Sequence, residues 1–67
     1  MITLTRLNGR PVMLNCDLIE SVEEGTGETV VTLTTGNVVV VGEPMAEIER
    51  KVVAFKQSIY AARHRDA

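Results

Sequence analysis

The chain offers few side chains able to do chemistry: one thiol, Cys16, one imidazole, His64, and three neighbouring carboxylates, Glu20, Glu23 and Glu24. A cysteine nucleophile needs a base beside it to hold the thiolate, and no such base is supplied near Cys16. His64 lies in the tail, where no local Ser/His/Asp signature can be assembled around it. Cys16 therefore reads as a small buried core thiol. A single cysteine also excludes an internal disulfide, and with only one histidine no Cys/His metal site can be built. Glu23 and Glu24 would suit acid/base work only if they converged, but adjacent residues on a strand point to opposite faces. They read as solvated edge charges. Gly25, Gly27, Gly36 and Gly42 fall in turns or just before a helix and lack the lysine of a phosphate-binding loop. The expectation is a protein without catalysis, metal or cofactor.

The elements that position these residues follow from alternation and turn chemistry. Ile2 to Leu7 alternates apolar with polar residues, Asn8-Gly9 is a strong hairpin signal, and Val12 to Leu14 returns the chain. A two-residue turn at Asn8-Gly9 places Arg6 opposite Pro11 and Thr5 opposite Val12. Pro11 lacks an N–H, so its strand belongs at an edge. Asp17 is placed to cap a short turn, with Glu20 three residues on reaching back in a capping box. A second hairpin runs from Glu20 to Glu24, through Gly25-Thr26-Gly27, and back along Thr29 to Thr34; a third joins that strand to Val38 to Val41. The expected fold is α+β: a small antiparallel sheet of about five short strands over residues 2–41, then a C-terminal helix over about 44–64 and a tail at 65–67, all in one domain of 67 residues.

Four consecutive valines, Val38 to Val41, make a strand that is apolar on both faces. Whether the preceding two-residue turn is Thr35-Gly36 or Gly36-Asn37, the same side chains share a face. Val31, Leu33, Val38 and Val40 then lie beneath the helix, and Val30, Thr32, Thr34, Val39 and Val41 form the opposite face. The first hairpin divides into Ile2, Leu4 and Met13 on one side and Thr3, Thr5, Val12 and Leu14 on the other. A single helix covers only one face. In a domain small enough for burial barely to outweigh chain entropy, the Val30, Thr32, Thr34, Val39 and Val41 face is expected to meet a second copy, making a homo-oligomer.

Helix signals begin at Pro44, with Glu43, Glu47 and Glu49 at the positive end of the dipole and Lys56, Arg63 and Arg65 towards the other. Met45, Ile48, Val52, Phe55, Ile59 and Ala62 recur at spacings of three and four, which is one apolar stripe. At about 1.5 Å per residue such a helix is longer than a short strand. Tyr60 to Arg65 should overhang the sheet, leaving Tyr60, Arg63 and Arg65 as a partner-facing end.

Charge is divided unevenly. Residues 1–43 carry two arginines against six acids, and residues 44–67 carry five basic groups against three acids. The basic end could serve an acidic partner or an anionic surface. No apolar run is long enough to span a membrane, and Met1 leads into Ile-Thr-Leu-Thr-Arg rather than into an export sequence. The expected location is the cytoplasm. Stacking platforms for nucleic acid need exposed aromatics, but the chain has one phenylalanine and one tyrosine, with Phe55 on the apolar stripe. Leu4-Thr5-Arg6 resembles the first strand of the carbon-storage translational regulators, which makes a small RNA-binding regulator the alternative reading. Those proteins hold RNA with basic residues where this chain has Gly42-Glu43-Pro44 and an acidic first turn, which would repel phosphate. Nucleic acid is not expected as a partner.

Read together and in order, Leu4-Thr5-Arg6-Leu7-Asn8-Gly9, then Leu14-Asn15 with Asp17-Leu18-Ile19-Glu20, then Thr29-Val30-Val31-Thr32-Leu33 with Gly36 and the valine run, make a more specific pattern. Over about residues 1 to 55 the chain resembles the FlbD/SwrD family of small flagellar proteins. The resemblance implies a role in swarming motility, raising the power of the flagellar motor through contact with its stator units at the flagellar base. It assigns no functional residue, since Asn8, Gly9, Asn15, Asp17 and Gly36 all have sufficient reasons in turns and caps.

Overall fold

The structure, a computed structural model, describes the backbone of residues 1–65 and the side chains of residues 1–59. Five strands precede one helix: β1 (Ile2–Thr5), β2 (Pro11–Leu14), β3 (Ile19–Glu24), β4 (Thr29–Leu33), β5 (Val38–Val41) and α1 (Met45–Arg65), with a 3₁₀ turn at Cys16–Leu18 before β3. The strands make two antiparallel sheets, β1-β2 and β3-β4-β5, and the helix packs against them in an α+β arrangement. Pro11 opens β2 at a sheet edge, where its missing donor costs no ladder bond.

The pairing register corrects the expected faces. Thr5 lies opposite Pro11, and Leu4 opposite Val12. Thr32 lies opposite Val38, and Val31 opposite Val39. Both hairpins are one residue out of step with a two-residue turn, because each closes through three residues. Arg6 N–H donates to Arg10 O at 2.8 Å and Gly9 N–H to Arg6 O at 2.9 Å. Leu33 N–H donates to Asn37 O at 2.8 Å and Gly36 N–H to Leu33 O at 2.9 Å, which is the same construction. Gly9 and Gly36 sit at φ 87° and 93°, so each loop is a tight turn followed by a left-handed glycine that bulges the ladder. A loop of odd length turns every following side chain to the other face.

Ile2, Leu4, Val12 and Leu14 consequently share the inner face of the first sheet, while Met13 stands 64% exposed on the outside. In the second sheet Thr29, Val31, Val39 and Val41 face inwards. Val31 and Val41 are wholly buried and Val39 is 8% exposed. Ile48 is the helix residue that completes this core, with Val52 and Phe55 half-buried beside it.

One bulge repairs the remaining strand. Ile19 pairs with Leu33 and Ser21 with Thr32, so Glu20 is the extra residue on β3. Ile19 and Val22, three positions apart, would otherwise lie on opposite faces; the bulge brings both to the inner one. The turn before β3 is capped by Asn15, whose Oδ1 accepts the Asp17 N–H at 3.0 Å. The expected Asp17–Glu20 capping box does not form, since Glu20 lies within β3 and Asn15 already holds the amide that needs a partner.

The two sheets are stitched where β5 runs into the helix. Arg6 bridges Val41, and Gly42 N–H donates to Thr5 O at 2.9 Å. Thr5 N–H in turn donates to Glu43 Oε1 at 2.9 Å, the Thr29 hydroxyl to Glu43 O at 2.6 Å, and Lys51 Nζ to Thr3 O at 2.8 Å. Thr29 is a buried polar residue of the inner face, and its bond to Glu43 satisfies its hydroxyl there.

Candidate functional site

The residues expected to form an interface are divided by the observed register. Val30 and Thr32 lie on the outer face of the second sheet, half-buried by their neighbours. Thr34 falls in the exposed loop before Gly36. Val39 and Val41 belong to the core beneath the chain's own helix, so neither can meet a partner. Val38 and Val40, placed in the core by the two-residue turn, take their positions outside. Tyr60, Arg63 and Arg65 lie outside the residues whose side chains are described.

The outer face that results is compact. Val30 is directly opposite Val40, and Thr32 opposite Val38, which is 57% exposed. β3 continues the face with Ser21 opposite Thr32 and Glu23 opposite Val30. The centre is thus apolar and uncharged, with an acid at one side. No catalytic chemistry gathers there. Cys16 is buried against the core, and among the described residues no three of His, Cys, Asp or Glu lie within reach of one metal ion.

A second surface was not anticipated. Between β3 and the first half of α1 runs an open groove of about 340 Å³, lined by Cys16, Ile19, Val22, Ile48 and Val52. Met45 and Glu49 stand at its rim, and Lys56 reaches across one end to Asp17 at 3.8 Å. Both charges of that pair are well exposed, so it contributes little to stability. The groove escaped the sequence because Ile19 and Val22 share a face only through the bulge at Glu20.

The carboxyl of Glu43 departs from its ordinary titration. Burial pushes its carboxyl up, but the Thr5 N–H and hydroxyl, its own N–H and nearby Lys51 outweigh that and hold it below the usual range. It serves the seam between β1 and the start of α1 rather than a reaction.

Residues 1–60 match the family described as flagellar and swarming motility proteins, FlbD. The chain belongs to that family. The match covers both sheets and most of the helix, so it embraces the outer valine face and the groove alike. No curated protein and no solved structure gives a significant match. Among the described residues no helix is long and apolar enough to cross a membrane.

Proposed function

We propose that this flagellar and swarming motility protein acts without catalysis, by protein–protein contact, as a cytoplasmic accessory that supports the power of the flagellar motor at its stator units. Its place of work is the flagellar base at the inner membrane. The observation that carries this reading is the family match over residues 1–60, joined to an outer sheet face with the features of a contact surface.

Self-association is part of the reading. The outer face of Val30, Thr32, Val38 and Val40 is uncharged at its centre, so a two-fold contact between copies brings no like charges together there. Each valine moved from water into such a contact contributes on the order of 1 kcal/mol, since these side chains are already partly covered. The expected product is a homo-oligomer.

The test is motor torque in cells lacking the gene, complemented with the wild-type chain or with Val38→Glu or Val40→Glu. Deletion should lower torque and the wild-type chain should restore it. The glutamate variants should remain folded, become monomeric by light scattering and restore torque poorly. Normal torque after deletion overturns the motor reading, and full restoration by a monomeric variant overturns the self-association.

A further inference from the structure

Strand β3 occupies one end of its sheet and has β4 as its only neighbour. In an antiparallel ladder alternate residues direct both backbone groups to the same side. Gly25 N–H donates to Glu28 O at 2.8 Å across the hairpin, so Gly25, Glu23 and Ser21 bond towards β4, and Glu24 and Val22 direct their N–H and C=O groups away from it. Outside the strand ladders, no backbone hydrogen bond of Val22 or Glu24 is made among the described residues. This open edge borders the apolar groove between β3 and α1, into which Val22 and Ile19 turn their side chains.

We propose that the β3 edge and the groove beside it receive an extended segment of a partner protein in which apolar and basic side chains alternate. A strand added about 4.8 Å beyond β3 would complete the ladder bonds of Val22 and Glu24. Every second side chain of that strand enters the groove against Ile19, Val22, Ile48 and Val52, which requires it to be apolar. The intervening side chains emerge on the outer face beside the exposed carboxylates of Glu20 and Glu23, while Glu24 and Glu49 stand exposed on the groove's side, and charge complementarity requires the intervening side chains to be Lys or Arg.

The same charges select against a second copy on this edge. Two β3 strands side by side would bring their glutamates together, a repulsion that natural sheets use to block edge-to-edge association. At another sheet edge, β2 begins at the donor-less Pro11. The β3 site is independent of the outer valine face and stands or falls without it.

The probe is the peptide Lys-Val-Arg-Val-Lys-Val-Arg, titrated into the full chain and followed by calorimetry and amide exchange, against Glu-Val-Glu-Val-Glu-Val-Glu. The basic peptide should bind at least about tenfold more tightly than the acidic one, weaken as salt is raised, and slow exchange at the Val22 and Glu24 amides. Val22→Pro removes an outward donor at an edge position where proline is tolerated, and should lower affinity by at least about tenfold with the circular dichroism unchanged. Should Val22→Pro fail to fold, the double variant Glu20→Lys with Glu23→Lys decides, and should lose the basic peptide to the same extent. Equal binding of both peptides, protection confined to the Val30–Val40 face, retained binding by folded Val22→Pro or unchanged binding by the lysine variant would each overturn the site, as would dimerisation of the chain through β3.

Discussion

Glu43 shows how much one side chain can join. Its carboxylate takes the Thr5 N–H of β1 and its carbonyl takes the Thr29 hydroxyl of β4, just before the first turn of α1. Because its carboxyl titrates below the ordinary value, the charged form is favoured by folding. Its contribution is therefore present above the unfolded pKa of about 4.3 and lost as pH falls through the lower folded value. Glu43→Gln removes the titration but keeps the shape. The melting temperature of wild type should exceed that of the variant at neutral pH, and the gap should close as the solution is acidified through the carboxylate range. A gap that persists or widens in acid would show that the carboxylate is not what joins these strands.

At the scale of elements, loop length decides which valines are core. Val39 and Val41 are inside because the loop over Thr34, Thr35 and Gly36 has three residues and ends in a left-handed glycine. Deleting Asn37 keeps the three-residue loop but moves each valine one place along β5, turning Val38 and Val40 inwards, opposite a strand whose own register is fixed by β3, and leaving Gly42 where Val41 is buried. The variant should unfold cooperatively at markedly lower denaturant, or not fold at all, with the loss exceeding the roughly 1–3 kcal/mol of an ordinary single substitution. Urea titration monitored by circular dichroism measures it. The same loop explains where the sequence was legible. Alternation located β1, the run of four valines located β5, turn residues located the hairpins, and the three-and-four spacing of Ile48, Val52 and Phe55 located the packing face of α1. Gly9 and Gly36 signalled turns equally well, but a turn signal does not state whether its glycine ends a two-residue loop or follows a tight turn. That one ambiguity inverted the faces of both hairpins, grouping Met13 with Ile2 and Leu4 when the structure puts Leu14 with them and leaves Met13 exposed. The groove was illegible for a related reason: nothing in Ile19-Glu20-Ser21-Val22 announces a bulge.

For the molecule as a whole, small size and a partly apolar exterior meet. A domain this short buries only a modest fraction of its surface, and contact between copies through Val30, Val38 and Val40 would add to the folded state's stability by mass action. The melting temperature of the wild-type chain should therefore rise with protein concentration, whereas that of Val38→Glu should not. A concentration-independent wild-type melt would argue for a solitary subunit. The stitched seam carries a different consequence. Beyond β2, the first strand finds its partners, Val41, Gly42, Glu43 and Lys51, only after residue 40, and loop closure over so long a separation is slow to be rewarded. While the ribosome is still translating, the amino-terminal hairpin has no lasting shelter, and a message cut short before Ile48 would yield a product with nothing to close over its greasy side. Such fragments should be prey for proteases, so that only finished polypeptides accumulate in the cell.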